Sequence, residues 1–268
     1  MSRPGPRMRE MARNIAITAE DLREAIDRDR LVLYYQPEMT ADGARIQCVE
    51  ALVRWEDPER GLVPPRLFVP LAEKSGLISE LGAWVMRRAC RDGVRWPVVT
   101  VAVNVSPLQF RDPGFFDFVR ATADAAGLPF NRLEIEVTEG AYFDNVEWAM
   151  QELRKFRSLG MSVALDDFGT GYASLTYLRR LPFTKIKIDK TFVDECQVIG
   201  SAAIIHAVVA LSRALGLKVT AEGVETPEQQ RFLRAAGCHY LQGYLFSRPV
   251  PAREITASLE AQGQKLAS

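Results

Sequence analysis

The sequence predicts an α/β fold, a modified (β/α)8 TIM-type barrel with an antiparallel first strand. Three observations carry that expectation. Eight strand-like runs recur between residues 18 and 262, helical segments separate most of them, and nearly every strand offers a polar side chain on the parity that points inward. An open doubly wound sheet is the competing fold.

Residues 1–17 are rich in Pro, Arg and Met and read as a flexible tail or linker remnant. They precede one domain over 18–262 and a short C-terminal tail over 263–268. Thr18 and Asp21 stand three apart, as in a capping box, and start the first helix. Residues 31–36 form a strand, Asp42-Gly43 a tight turn, and 45–55 the next strand. The gap between these strands is too short for a helical crossover, so they pair antiparallel. Helical stretches near 65–76 and 79–95 lead to a strand at 98–105. Strands at 132–138, 161–166, 184–188, 217–222 and 239–245 then alternate with helices near 115–126, 145–159, 172–181, 200–215 and 226–236, before a last helix near 251–262. Gly127, Gly160, Gly216 and Gly237 each follow a helix, where a left-handed cap suits glycine.

Side chains two apart on a strand share a face. With Val49, Ala51 and Val53 toward the helices, Glu50, Leu52 and Arg54 point into the barrel. The same parity turns Asn104, Glu136, Thr138, Lys187, Asp189 and Gln242 inward, and Gln36 on the first strand. Asp166 and Glu222 end their strands on inward parity, with Asp167 at the rim. These groups gather near the C-terminal strand ends, where barrel active sites lie.

Apolar residues make up 47% of the chain and charged ones 25%, the composition of a globular domain. Thirty-four basic residues balance thirty-four acidic ones, so no bulk field favours nucleic acid or anionic membrane, and an anionic substrate must be held by a local site. Cys48, Cys90, Cys196 and Cys238 lack metal-binding spacing and read as free buried thiols of a reducing, cytoplasmic compartment. The longest apolar runs are too short to span a bilayer, so no membrane segment is expected.

Adjacent acids such as Asp166-Asp167 more often cap a helix or face solvent. Joined by Glu50, Asn104, Glu136 and Glu222 on matching parity, they read as an oxygen-ligand metal site, because clustered carboxylates resist ionisation unless a cation sits among them. All-oxygen donors favour magnesium or manganese over zinc. One aspartate bridging two ions suits phosphoesterase chemistry, in which the metals stand about 3.5–4 Å apart. Asp167-Phe168-Gly169 matches the kinase DFG triplet, but no HRD-type loop or VAIK-type strand accompanies it. Gly169-Thr170-Gly171 before a helix resembles a degenerate dinucleotide fingerprint; the two preceding carboxylates would repel a pyrophosphate, which favours a flexible functional loop. Lys187 either neutralises the acids or orients and activates a water, and Arg54 either bridges within the barrel or grips a phosphate. His206, His239 and the four tryptophans are read as structural or surface residues.

Glu50-Ala51-Leu52-Val53-Arg54-Trp55 resembles the signature of the EAL-domain cyclic diguanylate (c-di-GMP) phosphodiesterases. The resemblance extends over about residues 18–260 through Tyr35-Gln36-Pro37, Asn104-Val105-Ser106, Glu136-Val137-Thr138-Glu139, Asp166-Asp167-Phe168-Gly169-Thr170-Gly171, Lys187-Ile188-Asp189, Glu222-Gly223-Val224-Glu225-Thr226 and Gln242-Gly243-Tyr244. It implies a metal-dependent phosphodiesterase that hydrolyses c-di-GMP to linear pGpG by in-line attack of a metal-activated water. The implied cofactors are two divalent cations, Mg2+ or Mn2+, with Ca2+ inhibitory. By position, Glu50, Asn104, Glu136 and Asp166 resemble ligands of one metal, and Asp166, Asp167 and Glu222 those of the other. Lys187 resembles the residue that contacts the nucleophilic water, with Gln242 supporting it. Gln36, Leu52 and Arg54 lie where the family contacts the nucleotide. Glu139 resembles the glutamate that steadies the loop at 167–175, and Glu225 a partner behind the ligands. Glu38 and Gly140 are mild departures that touch no implied ligand. The resemblance also suggests a homodimer through helices beside the 167–181 segment. No GGDEF or sensory segment is visible, so the chain is either a stand-alone enzyme or part of a longer protein with an upstream regulatory domain. The chief alternative is a non-catalytic c-di-GMP receptor acting through a protein partner, followed by a hydrolase of another phosphodiester.

Overall fold

The computed structural model describes residues 17–138, 140, 145–169 and 175–267. The first helix, α1 (Ala19–Asp27), begins with the expected capping box: Thr18 Oγ1 accepts from the Asp21 amide at 3.1 Å and Asp21 from the Thr18 amide at 3.0 Å. β1 (Leu31–Thr40) and β2 (Ile46–Asp57) pair antiparallel from Leu31↔Trp55 to Met39↔Ile46. A short β3 (Gly61–Val63), absent from the sequence reading, folds back on the end of β2.

From there the chain alternates. α2 (Pro65–Ser75) and α3 (Ile78–Gly93) lead to β4 (Thr100–Val105); α4 (Pro107–Phe110) and α5 (Phe115–Ala126) lead to β5 (Leu133–Val137). α6 (Val146–Ser158) precedes β6 (Ser162–Phe168), and α7 (Leu175–Arg180) precedes β7 (Lys185–Ile188). α8 (Lys190–Asp194) and α9 (Ile199–Leu215) lead to β8 (Lys218–Ala221), and α10 (Pro227–Ala236) to β9 (Tyr240–Gln242). β10 (Val250–Pro251) and α11 (Ala252–Ala267) finish the described chain, the helix running past the expected end at 262.

β2 and β4 through β9 are successive parallel neighbours, and β1 closes the ring antiparallel to both β2 and β9. The fold is therefore a closed barrel with an inverted first stave, not an open sheet. Inversion follows from the short connection: a chain that reverses within a few residues can pair only antiparallel. Val49, Ala51, Val101, Val103, Leu133, Ile135, Ile186 and Ile188 are buried in the apolar core, as the alternation requires. Gly127, Gly216 and Gly237 take left-handed conformations that end α5, α9 and α10.

Two departures from the expected elements bear on the site. Asp189 does not line the barrel; it caps α8 by accepting from the Thr191 amide at 2.9 Å. β9 stops at Gln242 rather than 245. The Val224 amide donates to the Gln242 carbonyl and the Leu245 amide to the Val224 carbonyl, which bends the chain around Val224. A Cβ on Gly243 would lie 2.1 Å from the Val224 carbonyl oxygen, so glycine is required for that approach. Gly243→Ala is expected to lower stability by about 1–3 kcal/mol through overpacking. Urea unfolding checks this, and a wild-type midpoint would contradict the close packing.

Candidate active site

The C-terminal strand ends assemble an acidic cluster around one ammonium. Lys187 is 1% exposed. Its Nζ lies 2.7 Å from Glu222 Oε1, 3.0 Å from Glu136 Oε1, 3.3 Å from Asp166 Oδ1 and 3.4 Å from Glu50 Oε2. Those four carboxylates come from β8's end, β5, β6 and β2. Glu50 is fixed from two further sides: Asn104 Nδ2 donates to Oε1 at 2.6 Å and Gln242 Nε2 to Oε2 at 2.7 Å. Gln36 Oε1 accepts a longer bond from the same Gln242 nitrogen at 3.4 Å, while Gln36 Nε2 donates to the Ser247 carbonyl.

Asp166 and Asp167 are adjacent, so a regular strand would send them to opposite faces. β6 is irregular there, pairing Leu165↔Ile186 and then Phe168↔Ile188. Asp167 takes φ 53°, an uncommon left-handed conformation for a non-glycine residue. With the register broken, carboxylate oxygens of Asp166, Asp167 and Glu222 come within 4.8 Å of one another, close enough to share a cation. Gly169 follows with φ 101°, turning the chain away from the strand.

The charges explain why a cation belongs here. Burial raises the Glu136 carboxyl well above its ordinary range, against the pull of Lys187 and with help from Glu50, Asp166 and Glu134. Burial likewise raises Glu222 to about 8, partly offset by Lys187. Asp167 is raised by burial and then by Asp166 and Asp189. Burial opposes ionisation of Glu50 too, but Lys187, Gln242 and Asn104 outweigh it and hold that carboxyl below its usual range. Burial disfavours the charged form of Lys187, yet the surrounding carboxylates raise it well above the ordinary lysine value. Glu136 Oε2 and Gln242 Oε1 are buried without a hydrogen-bond partner, and Asp166 Oδ1 makes no hydrogen bond beyond its ion-pair contact with Lys187. One ammonium thus leaves carboxylate charge and oxygen lone pairs unmatched, the condition that divalent cations satisfy.

Two cavities open beside this cluster. One, about 520 Å3, is lined by Gln36, Glu50, Asp166, Asp167, Glu222, Gln242 and Tyr244. The other, about 340 Å3, has Arg54, Asn104, Glu136 and Thr138 on one wall and apolar Val69, Ile78, Leu81 and Val85 on another. Leu52 borders both.

The sequence model of the EAL domain matches residues 19–249. The chain belongs to the EAL-domain family. MucR of Pseudomonas aeruginosa, named a bifunctional diguanylate cyclase/cyclic di-GMP phosphodiesterase, is 45% identical over 245 residues, covering 89% of this chain and 36% of that protein. The cyclic di-GMP phosphodiesterase PdeR of Escherichia coli is 41% identical over 237 residues, covering 87% and 36%. The chain therefore spans about one third of the length of the curated relatives it matches. Among solved structures, the PaMucR phosphodiesterase in its c-di-GMP complex is 44% identical with a TM-score of 0.84, covering 88% of this chain and 98% of that one. An EAL-domain protein from Listeria monocytogenes is 32% identical with a TM-score of 0.82, covering 91% and 98%. No helix among the described residues is long and apolar enough to cross a membrane.

In this EAL domain the structure brings Glu50, Asn104, Glu136, Asp166, Asp167, Lys187, Glu222, Gln36 and Gln242 to one mouth. Arg54 stands apart from the acids: its guanidinium donates to the Val53 carbonyl at 2.8 Å and lies over the Tyr34 ring, on the wall of the second cavity. Glu225 lies at the rim, ion-paired with Lys190. Phe168 is buried at the end of β6. Glu139, Thr170 and Gly171 lie outside the described residues. The four cysteines are free and buried, as expected. His239 accepts from the Val219 amide, and His206 packs edge-on to Phe232.

Sequence reasoning missed a second polar layer one step deeper. Glu38, a departure that touches no implied ligand, is 2% exposed and bonds Lys185, which also bonds Glu134. The alternation that found Glu136, Lys187 and Glu222 also marks Glu134, Lys185 and Thr220, two residues earlier on the same strands. Lys190 was missed because it opens a helix rather than extending a strand.

The folded chain holds Glu222 protonated up to about pH 8, whereas an unfolded glutamate releases its proton near 4.5. The folded state therefore binds more protons between those values, and stability falls as pH rises through them. Thermal melts of chelator-treated protein should show Tm decreasing from about pH 5 to 8. Glu222→Gln should flatten that slope, and a flat wild-type profile would contradict the burial of this carboxyl.

Proposed function

We propose that this EAL domain is a c-di-GMP phosphodiesterase that uses two divalent cations, Mg2+ or Mn2+, and yields linear pGpG. The observation that carries the reading is the gathering of four carboxylates around the single Lys187 ammonium, with the buried Glu136 Oε2 left without a hydrogen-bond partner, at the mouth of an EAL-family barrel. The names of MucR and PdeR, and the c-di-GMP complex of the PaMucR phosphodiesterase, support the substrate.

Glu50, Asn104, Glu136 and Asp166 would hold one ion, and Asp166, Asp167 and Glu222 the other. When bound, the pair supplies Lewis acidity that lowers the pKa of water and offsets charge on the phosphoryl group. Asn104 and Gln242 keep Glu50 in one rotamer and in its charged form. The carboxylates around Lys187 favour its ammonium form, which suits it to orient the attacking water by donating to it. Arg54 and Leu52 border the second cavity, whose apolar wall suits one purine base while the phosphodiester sits over the acids. The 3′ oxygen leaves in line with attack. We further propose a homodimer through helices beside the 167–181 segment and operation in the cytoplasm.

Incubation of the purified domain with c-di-GMP and Mn2+, with products separated by chromatography, tests the assignment. Accumulating pGpG is expected, whereas ligand bound stably without product would make the chain a receptor. Preferential turnover of bis(p-nitrophenyl) phosphate would point to another phosphodiester. Glu50→Gln should abolish turnover in excess Mn2+ while the circular dichroism spectrum is retained; full activity in that variant would remove Glu50 from the site. Ca2+ in place of Mn2+ should permit binding but stop turnover, because its larger and looser coordination misplaces the water.

A further inference from the structure

Below the mouth, the barrel interior holds a second ionic layer. Lys185 Nζ lies 2.9 and 3.1 Å from the two oxygens of Glu38 and 2.7 Å from Glu134 Oε1. Thr220 Oγ1 donates to Glu38 Oε2 at 3.0 Å. Their exposures are 2% for Glu38 and Glu134, 5% for Lys185 and nil for Thr220, so the layer is buried, with Glu134 and Lys185 reaching a small cavity of about 100 Å3 beside Cys48, Thr184 and Tyr240.

The strands joined are not sheet neighbours. β6 separates β5 from β7, and β8 and β9 separate β7 from β1. The contacts therefore cross the barrel lumen rather than reinforce a ladder. Each member is also tied to a group at the mouth. Glu134 lies two residues before Glu136, Lys185 two before Lys187 and Thr220 two before Glu222. Glu38 stands in register with Gln242, the residue that donates to Glu50.

Burying three ionic groups costs several kcal/mol, and apolar side chains of similar volume often serve the fold equally well. A network built at such expense and aligned strand by strand with the acids above it has a positional task. We propose that Glu38, Glu134 and Lys185 form a positioning clamp that sets the spacing of the carboxylates at the mouth and so preorganises them for divalent cations. When loaded, the upper layer's carboxylates would hold the cations in addition to facing Lys187. The lower layer keeps its partners in both conditions and supplies the fixed reference. This inference rests on the two-cation reading above.

Titration calorimetry of Mn2+ into chelator-treated wild type and the triple variant Glu38→Met/Glu134→Leu/Lys185→Met tests it. The variant replaces the whole layer with apolar groups and leaves no charge orphaned, so Tm should be unchanged or higher. Its Mn2+ affinity should fall about 10–100-fold, the range seen when partners behind metal ligands are removed. KM for c-di-GMP at saturating Mn2+ should stay at the wild-type value, since the clamp touches no substrate. Wild-type Mn2+ affinity in the folded triple variant overturns the clamp and leaves the two-cation reading standing. No Mn2+ binding by the wild type overturns that reading, and the clamp with it. If the triple variant does not fold, Lys185→Arg decides: it keeps the charge but moves the nitrogen, so weaker Mn2+ binding is expected and unchanged binding in the folded protein overturns the proposal.

Discussion

A buried ammonium among carboxylates contributed by four separate staves is the constraint on which the mouth of this barrel depends. Lys187 can remain charged only because Asp166, Glu136, Glu222 and Glu50 surround it, and the carboxylates can approach one another only because Lys187 stands between them. Neither side of that arrangement is stable alone, since an isolated buried charge shifts its pKa and neutralises. The balance is incomplete. Glu136 and Glu222 remain raised, and Glu136 Oε2 finds no hydrogen-bond partner. The same geometry that keeps the acids together therefore leaves them short of positive charge, which is the chemical definition of a cation site.

Closure of the barrel makes this geometry possible. β1 runs against its neighbours, so it enters the lumen from the mouth and carries Gln36 at the top and Glu38 beneath. The parallel staves run the other way and carry their ligand candidates at the end of each run. The break in β6 adds what a regular strand cannot: two consecutive aspartates directed to one place. The left-handed backbone at Asp167 costs of order 1–3 kcal/mol, and such strain persists where surrounding structure over-determines it. The hydrogen-bonded bend around Val224 brings β9 to a stop with Gln242 facing Glu50. Backbone irregularity at β6 and β9 is thus concentrated where the chemistry is proposed.

Much of this was legible from alternation alone. Period-two parity placed Glu50, Asn104, Glu136, Lys187 and Gln242 in a common interior, and the short gap after the first strand gave its inverted direction. Alternation failed where the backbone leaves the regular pattern. It sent Asp189 inward, although a helix begins there and the side chain is used as a cap. At Arg54 the strand is regular, but parity does not fix where a long side chain ends: the guanidinium turns to the Val53 carbonyl and lines the neighbouring cavity. The deeper layer was legible by the same rule but was passed over. Glu134 and Lys185 lie two residues before the strand ends that carry the site, and Glu38 faces them from the inverted first strand. No periodicity argument predicts that Lys190 swings from the start of α8 to pair with Glu225 at the rim.

The electrostatic sign of the mouth follows from these placements. Glu50, Glu136, Asp166, Asp167, Glu222 and Glu225 stand against Lys187, Lys190 and Arg54 among the described residues. Burial raises Glu136 and Glu222, so this mouth offers a phosphodiester no net attraction, and the chain's overall neutrality supplies no long-range field to draw one in. Two divalent ions would reverse the local sign, so cation loading and recognition of an anionic nucleotide are one electrostatic event rather than two independent ones. Arg54 lies outside the acidic group and keeps its charge available to the nucleotide, because its half-buried guanidinium is spent on a backbone carbonyl and the Tyr34 ring rather than on a carboxylate. The division of labour is therefore spatial. Glu50, Asp166, Asp167 and Glu222 line one cavity, Arg54 lines the next beside Asn104 and Glu136, and Leu52 borders both.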